Sequence, residues 1–340
     1  MALSETLPRL WYRRGLAPAL IPLLPLSWLF AVLSGVRRAA YRAGLARRET
    51  LPVPVVVIGN ITVGGAGKTP LTVWLVEALR AHGRRPGIVS RGYGASTDQP
   101  RLVRVDDDPA AVGDEPLLLA RRTGVPVAVC RDRAAAGRVL LAAYPECDVL
   151  VADDGLQHYR LARAAEIAVF DARGAGNGWR LPAGPLRESL TRLRGVDALV
   201  WNGVPDARAV DAAAGVPQFA MLLCGTRFRA LNDAGQACGA DDLRGKKLHA
   251  LAGIGDPPRF FAQLERLGLA FVPHPFHDHH AYAAADLDFA RDGVLLLTEK
   301  DAVKCAGLYA GEAWVLPVSA EVDAGLATRI LEKINGRTAA

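Results

Sequence analysis

The chain has 340 residues, of which 51% are hydrophobic and 22% are charged, and this composition excludes a disordered protein. Its five cysteines are scattered, with an odd total and no Cys-x-x-Cys pair, which indicates a reducing compartment and argues against a zinc site. The first 50 residues hold eight arginines and two glutamates, an excess that equals the whole net charge of +6.

The amino-terminal arginines flank an uncharged apolar stretch, Gly15 to Val36. Basic residues beside an apolar helix are attracted to anionic lipid headgroups, so we interpret residues 1–36 as a membrane-associated segment that lies in or dips into the membrane surface. A spanning helix and a buried core helix are the alternatives, and prolines in the first half of the stretch disfavour a span. No base-stacking aromatic residues alternate with these arginines, so nucleic acid is not a predicted partner.

Residues 58–70 follow an apolar run and precede a helical pattern, an order that is typical of a phosphate-binding loop. In such a loop backbone N–H groups turn toward phosphate oxygens, Lys68 supplies a cation and Thr69 can ligate Mg²⁺. Thr62 stands where the full G-x-x-x-x-G-K-S/T pattern has glycine, so the match is to a relaxed form, and a glycine-rich turn that binds nothing is the alternative. The sequence predicts ATP and Mg²⁺ as cofactors, with nucleotide contacts at Thr62, Val63, Gly64, Gly65, Ala66, Gly67, Lys68 and Thr69. We expect this loop to be a separate unit from residues 1–36, so that their removal leaves ATP binding intact.

A second apolar strand, Val149 to Ala152, ends in Asp153 and Asp154. Nucleotide-binding sheets bring an acidic group to the metal at the carboxyl edge of their strands. Asp-Asp-Gly also occurs where a strand simply turns, so this signal is strong only together with the glycine loop. We predict that Thr69, Asp153 and Asp154 lie at the magnesium ion.

Strand-like runs recur along the chain, with Ala/Leu/Arg helical patterns between several of them. This alternation predicts an α/β fold with a P-loop-type, mostly parallel sheet covered by helices, and its restart near residue 225 predicts a second, smaller α/β domain. The predicted organisation is a P-loop domain at 37–224, a hinge at 225–239, the smaller domain at 240–318 and a carboxyl-terminal helix within 319–340 that packs on the first domain.

Two blocks carry candidate proton-transfer groups. Gly113-Asp114-Glu115-Pro116 precedes an apolar helix. It is either a plain helix N-terminus or the source of a carboxylate that accepts the proton of a sugar or alcohol hydroxyl. Four of the seven histidines lie between residues 274 and 280, in a spacing that does not suit zinc. We expect this second block to be a loop that brings one imidazole to the catalytic cleft.

Two further loops supply candidate substrate contacts. Ser90-Arg91-Gly92-Tyr93-Gly94 is a flexible basic loop at the end of a strand. In Leu186-Arg187-Glu188 a guanidinium can bind phosphate and a carboxylate can lie near the metal, although an exposed helix start explains the pair equally well.

Together these blocks resemble the tetraacyldisaccharide 4'-kinases of lipid A assembly, and the resemblance covers most of the chain. It rests on the basic apolar amino terminus and on the ordered blocks Gly59 to Pro70, Ser90 to Gly94, Gly113 to Pro116, Asp153 to His158, Pro182 to Glu188, Phe276 to His279 and Thr298 to Asp301. Six or more ordered blocks argue against chance similarity.

The resemblance implies a kinase that transfers the ATP γ-phosphate to the 4' hydroxyl of an acylated disaccharide 1-phosphate, at the cytoplasmic face of the bacterial inner membrane. It implies that Asp114 activates the hydroxyl with His279 as its partner, although His277 and His280 remain candidates, and that Lys68 serves the phosphate. Candidate substrate contacts are Arg91, Tyr93, Gln157, His158, Arg187 and Glu188. The lipid and the membrane surface are the expected partners, with no obligate protein partner. The rival function is a membrane-recruited P-loop ATPase or GTPase switch, but the sequence lacks a guanine-reading Asn-Lys-x-Asp block.

Overall fold

The structure is a computed structural model that describes residues 3–13, 15–94, 99–233 and 235–336. Parts of the predicted segments therefore lie outside the described residues: residues 1–2 and Arg14 of the amino-terminal segment, residue 234 of the predicted hinge and residues 337–340 of the last segment.

The helices in the described ranges are α1 (Leu3–Trp11), α2 (Leu24–Arg42), α3 (Lys68–Ala81), α4 (Pro109–Val112), α5 (Asp114–Thr123), α6 (Arg133–Ala143), α7 (Ala207–Ala212), α8 (Pro257–Arg266), α9 (Glu299–Cys305) and α10 (Gly325–Asn335). The strands are β1 (Val55–Gly59), β2 (Pro86–Ser90), β3 (Arg101–Leu102), β4 (Val127–Val129), β5 (Val149–Ala152), β6 (Ala165–Asp171), β7 (Ala198–Asn202), β8 (Gln218–Cys224), β9 (Arg227–Ala230), β10 (Ala237–Gly239), β11 (Leu248–Ala252), β12 (Val272–Pro275), β13 (Val294–Thr298), β14 (Ala313–Leu316) and β15 (Ser319–Val322). Short 3₁₀ helices lie at Pro18–Leu23, Leu190–Gly195, Asp241–Leu243 and Ala284–Ala290.

The first sheet has the strand order β15-β8-β7-β6-β1-β5-β2-β4-β3 among the described residues, and we call this sheet and its helices the first lobe. Its strands are parallel except at the two edges, where β3 and β15 run antiparallel to their neighbours. In β1, Val55 and Val57 face one core while Val56 and Ile58 face the other, because successive side chains of a strand alternate. Burial on both faces explains the continuous apolar runs in the sequence, and the predicted α/β class is confirmed.

A second sheet has the order β10-β9-β14-β13-β11-β12 within the described ranges, and we call it and its helices the second lobe. Residues 225–239, predicted to be a hinge, instead carry β9 and β10, which pair antiparallel at one edge of this sheet. The prediction was wrong because exposed arginines on both sides of Phe228 make the segment polar in sequence. Phe228 itself is fully buried in the core of the second lobe. The chain crosses between the lobes after β8 and returns before β15.

The end of the chain packs on the first lobe. Strand β15 pairs with β8, and α10 contacts α3 and the sheet below it. Leu326, Ile330 and Ile334 are buried in the same core as the apolar face of α3. The last described helix therefore closes one face of the first sheet.

Helix α2 extends beyond residue 36, the predicted end of the amino-terminal segment, because no glycine or proline occurs between that residue and Gly44, whose φ is 75°. The prolines do not interrupt it, since Pro18 and Pro22 lie in the preceding 3₁₀ helix and Pro25 lies in its first turn. The segment Pro18–Arg42 is long and apolar enough to cross a membrane, and 11% of its most apolar window is buried. The low burial contradicts the alternative of a buried core helix.

Candidate active site

The glycine loop between β1 and α3 has the backbone shape of a phosphate-binding loop. Gly64 and Gly67 have φ values of 104° and 93°, which side-chain-bearing residues rarely adopt, and α3 begins directly after Gly67. Thr62 is buried and forms an isolated β-bridge with Leu186. The bridge pairs the backbone of Thr62 with that of Leu186 as in a β-sheet. This position therefore does not require the glycine of the full pattern.

Side chains around the loop hold Lys68 at its mouth. The Asn60 side chain donates to the Gly64 carbonyl oxygen at 3.2 Å and accepts from Lys68 Nζ at 3.4 Å. Lys68 Nζ also lies 3.7 Å from Asp154 Oδ1. Lys68 and Thr69 line a cavity of about 1540 Å³ that lies between the two lobes and also reaches α2.

The two aspartates after β5 differ in environment. Asp153 is 1% exposed and accepts a hydrogen bond from Thr72 Oγ1 at 3.1 Å. Burial, with Glu115 and Asp154 nearby, raises the pKa of Asp153 to about 7. Burial also raises the pKa of Asp154, but Lys68 and Arg187 outweigh it and hold that pKa below its usual value. Asp154 has a φ of 46°, which turns it into the cavity that it lines.

This donor set fits Mg²⁺. The ion prefers carboxylate and hydroxyl oxygens, and Asp154 and Thr69 present these to the cavity, whereas Asp153 is buried next to Asp154 and does not line the cavity. Asp153 has no ion-pair partner within 4.0 Å in the described part of the chain, and the charge of Lys68 offsets only part of the rise that burial and the neighbouring carboxylates cause in its pKa.

The segment after Pro185 forms one wall of the cavity. Arg187 Nη1 lies 3.3 Å from Asp154 Oδ2, and Gln157 Nε2 donates to Glu188 Oε2 at 3.2 Å. Glu188 also accepts from the Tyr159 hydroxyl and pairs with Arg192. The β-bridge between Leu186 and Thr62 holds this segment against the P-loop. The segment is therefore a wall of the site and not the exposed helix start that the sequence allowed.

His158 lies apart from the other candidate substrate contacts. Its ring does not line the cavity, and its nearest acidic partner is Asp132, 3.9 Å from Nε2. Burial and the neighbouring Arg133 lower its pKa to about 4. The structure therefore does not support a substrate contact by His158, because the turn after β5 directs this side chain into the protein while Gln157 faces the cavity.

Asp114 and His279 meet across the lobes. Asp114 begins α5 in the first lobe, and its Oδ2 lies 3.1 Å from Nδ1 of His279, which comes from the loop after β12 in the second lobe. The Asp114 side chain is 7% exposed, and its Oδ1 accepts the Glu115 backbone N–H at 2.9 Å. Burial opposes ionisation of Asp114, but the hydrogen bond to His279 and the charge of Lys300 lower its pKa below the usual value.

His279 is the histidine of its block that reaches Asp114 in the described structure. Burial lowers its pKa, but the hydrogen bond to Asp114 outweighs burial and the net shift is upward. Its φ of 60° is strained for a residue with a side chain, and its ring packs 4.7 Å from that of Tyr93. His277 and His280 instead contact each other, and His280 contacts Asp286.

The predicted histidine loop begins later than expected. Val272–Pro275 forms the edge strand β12, which tolerates its prolines because an edge strand need not donate on its outer side. His274 therefore contacts His249 within the second lobe, 3.1 Å away, and does not face the cavity.

Arg91 and Tyr93 line the cavity as the sequence suggests, and so do several residues that the sequence analysis missed. Lys300 lies 3.0 Å from Glu115 and 2.9 Å from Asp278. Its block was noted only as part of the resemblance. A cation in the first turn of a helix, where the dipole disfavours it, is the signal that could have identified this residue.

The amino-terminal segment touches the P-loop. The Tyr12 hydroxyl donates to the Val63 carbonyl oxygen at 2.9 Å, and Trp11 Nε1 donates to the Pro182 carbonyl oxygen at 2.9 Å. Arg173 lies over the Tyr12 ring and donates to the Gly65 carbonyl oxygen at 3.3 Å. Residues 1–36 and the loop are therefore in direct contact, contrary to the expectation of separate units, because aromatic residues before the apolar stretch fold back onto the loop. Survival of ATP binding after removal of residues 1–36 stays a prediction.

Comparisons with known proteins show which family this chain resembles. The family model described as tetraacyldisaccharide-1-P 4'-kinase matches residues 19–335. A tetraacyldisaccharide 4'-kinase of Dechloromonas aromatica (strain RCB) is 57% identical, with 99% of this chain and 100% of that protein covered. One of Aromatoleum aromaticum (strain DSM 19018 / LMG 30748 / EbN1) is 55% identical with the same coverage.

A solved structure also matches. It is described as the "apo" form of LpxK from Aquifex aeolicus in complex with ATP, and it is 29% identical with a TM-score of 0.78 over 93% of this chain and 99% of that one. The sequence blocks, the P-loop beside a two-lobe cavity and the full-length relatives lead to one conclusion: this chain belongs to the tetraacyldisaccharide-1-P 4'-kinase family.

Proposed function

We propose that this chain transfers the γ-phosphoryl group of ATP to the 4' hydroxyl of a tetraacyldisaccharide 1-phosphate, with Asp114 as the group that accepts the hydroxyl proton. The observation that carries this proposal is the 3.1 Å contact of Asp114 with His279, beside the cavity that the P-loop lines. Phosphoryl transfer to an alcohol needs a carboxylate or imidazole next to the phosphate site, because the hydroxyl must lose its proton as the new P–O bond forms.

ATP is bound in this proposal by the loop from Thr62 to Thr69. Lys68 supplies charge to the phosphates, and the N-terminus of α3 adds its positive dipole end. The related Aquifex aeolicus structure is described as a complex with ATP, which supports ATP as the phosphoryl donor here.

Thr69, Asp153 and Asp154 would hold Mg²⁺. When bound, the ion offsets the negative charge of the transferring phosphoryl group. Arg187 and Lys68 both pair with Asp154 and both line the cavity, so the remaining N–H groups of Arg187 would contact phosphate oxygens on the same side as Lys68.

Asp114 is suited to take the proton. Its lowered pKa keeps it ionised near neutral pH, and each of its carboxylate oxygens uses one lone pair on Glu115 N or on His279 and retains another. His279 orients the carboxylate and shares its charge. The proton of the sugar hydroxyl passes to Asp114 as the hydroxyl oxygen attacks the γ-phosphorus and ADP leaves.

The acceptor is held on the membrane side of the cavity. Trp28, Leu29, Val32, Leu33 and Val36 are each more than half exposed on α2, and this face suits acyl chains. Leu33 and Arg37 also line the cavity, so the apolar face continues toward the phosphate site.

We infer that α2 associates with the cytoplasmic face of the inner membrane, where both ATP and the lipid acceptor are present. On the sugar and its phosphate, the proposed contacts are Arg91, Tyr93, Gln157, Arg187 and Glu188, all of which line the cavity. Of these residues, Arg91 and Arg187 carry the positive charge that a phosphorylated lipid attracts.

A transfer assay with labelled ATP and the purified acceptor in detergent micelles tests the proposal. The wild-type protein should place label on the acceptor, and Asp114→Asn should lower turnover ~10²- to 10⁴-fold while ATP affinity stays nearly unchanged. Acceptor-independent release of inorganic phosphate by the wild type would support the ATPase switch instead. Near-normal transfer by Asp114→Asn would remove Asp114 from the proposed role.

A further inference from the structure

Lys300 occupies a position that local folding does not explain. It lies in the first turn of α9, where the helix dipole disfavours a cation, and its side chain is 14% exposed. Lysine is rarely buried to this extent unless it is paired. The surroundings of Lys300 must therefore supply the stabilisation.

Three carboxylates from both lobes surround the ammonium group. Glu115 and Asp278 lie 3.0 Å and 2.9 Å from Nζ, and Asp114 lies 3.9 Å away. Burial alone would lower the pKa of Lys300, but these carboxylates outweigh burial and the net shift is upward. Lys300 is thus permanently charged and acts only as a hydrogen-bond donor.

The contact of Lys300 with His279 determines where the imidazole proton lies. Lys300 Nζ is 3.3 Å from Nε2 of His279. Because the ammonium group can only donate, Nε2 must accept and carries no proton. The proton of a neutral His279 is then on Nδ1, which donates to Asp114 Oδ2 at 3.1 Å.

We propose that Lys300 is a positioning residue that holds His279 as the neutral Nδ1–H tautomer and so leaves Asp114 as the group that takes the proton of the sugar hydroxyl. The inference rests on the proposed function, in which Asp114 is the base. In the transfer step the hydroxyl O–H bond breaks, its proton goes to Asp114, the new O–P bond forms and the bond to ADP breaks. Lys300 and His279 keep their own protons throughout.

The charges around His279 and Asp114 determine the direction in which the loss of Lys300 shifts their pKa values. His279 faces Asp114 and Asp278, Glu115 pairs with Lys300, and the Tyr93 ring packs against the imidazole at a tilt. Asp114 raises the pKa of His279 and the net shift is upward, but the charge of Lys300 opposes this rise and also lowers the pKa of Asp114. More distant Lys304 also lowers that of Asp114. Without Lys300, His279 gains a proton at higher pH, and an imidazolium beside Asp114 makes that carboxylate a weaker base.

The pH dependence of kcat/KM for transfer to the lipid acceptor tests this role. Lys300→Met should lower kcat/KM at neutral pH ~10- to 100-fold and move the acidic limb of the profile upward by about one pH unit or more. Lys300→Arg keeps the charge and should keep the limb near its wild-type position. The matched control is Arg122→Gln, which removes another ion pair between α5 and α9, the 2.6 Å contact of Arg122 with Glu299. This variant should leave the limb in place whatever its effect on rate.

If the acidic limb of the pH profile of kcat/KM stays in place in Lys300→Met, the inference is overturned. Lys300 would then be only a structural link between the lobes. This result is distinct from failure of the proposed function, which would appear as near-normal transfer by Asp114→Asn regardless of Lys300. A measurement on the wild-type protein does not depend on whether Lys300→Met folds. In ¹⁵N–¹H spectra of histidine-labelled protein at about pH 8.5, where an ordinary histidine is neutral, His279 should carry its proton on Nδ1. The Nε2–H tautomer would overturn the inference as well.

Discussion

Lys68 and Thr69 reach the cavity from one continuous loop, whereas Asp114 and His279 come from different lobes, meet beside the cavity and are 165 residues apart in the chain. The P-loop is held by hydrogen bonds within its own lobe, such as those of Asn60 and Asn202. The Asp114–His279 pair depends on how α5 of the first lobe meets the loop after β12 of the second lobe. The difference teaches that binding of the phosphate donor and activation of the acceptor can be lost separately.

On the donor side of the site, the largest effect should come from Lys68→Ala. It removes the cation at the mouth of the loop and should lower transfer on the order of 10²-fold or more through lost charge stabilisation, with the fold intact. Initial rates at saturating ATP, with circular dichroism as the control for folding, measure this effect. A folded variant with near-normal turnover would mean that Lys68 does not act on the phosphate.

The pH dependence of Mg²⁺ binding separates the metal site from the proton-transfer pair. The pKa of Asp153 is raised to about 7 in the folded protein, above its value of ~4 in the unfolded chain. As pH rises through this window, the buried charge progressively destabilises the metal-free protein, and the same ionisation strengthens Mg²⁺ binding. Asp153→Asn should therefore raise the Tm of metal-free protein more at pH ~8 than at pH ~5, and should weaken Mg²⁺ binding.

The comparison with Asp154→Asn provides a control for this effect. The pKa of Asp154 is lowered in the folded protein, so its ionised form is already stabilised by Lys68 and Arg187. Removing that charge should lower the Tm at neutral pH. An equal response of the two variants to pH would contradict the different environments of these aspartates.

The smallest effect should come from Tyr12→Phe, which removes the hydroxyl that donates to Val63 of the P-loop. We expect a loss of ATP affinity of ~3- to 10-fold, because one hydrogen bond contributes about 1 kcal/mol. Titration with a fluorescent ATP analogue measures this affinity. The control is Tyr144→Phe, because Tyr144 is an exposed tyrosine directly after α6. Unchanged affinity in Tyr12→Phe would restore the expectation that the amino-terminal segment and the loop are independent.

The sequence was sufficient for features that depend on short contiguous patterns. The strand, glycine loop and helix around Lys68 follow from local geometry, and Asp153 and Asp154 follow from the rule that parallel strands end at one edge of a sheet. The meeting of Asp114 with His279 was expected because of the family resemblance. The choice among three histidines was left open, and backbone turns at residues 277–280 determine it.

Features that depend on how distant segments pack could not be predicted. The contact of Tyr12 with Val63 needs α1 to fold back onto the first lobe, and no local pattern specifies that path. His158 follows Gln157 directly, yet only the turn after β5 decides which of the two faces the cavity. The role of Lys300 depends on its contacts with Glu115 and Asp278, which come from different lobes and lie far from each other in the sequence.

A double-mutant cycle of Asp114→Ala and His279→Ala, measured as turnover with the lipid acceptor, most directly tests whether the two residues act as one unit across the lobes. Each single change should lower turnover while ATP affinity stays nearly intact, and proton-transfer catalysis of this kind contributes ~10²- to 10⁴-fold. Because the residues share one hydrogen bond, the double variant should be little slower than the more damaging single variant. Fully multiplicative losses would contradict this result and show that Asp114 and His279 act independently.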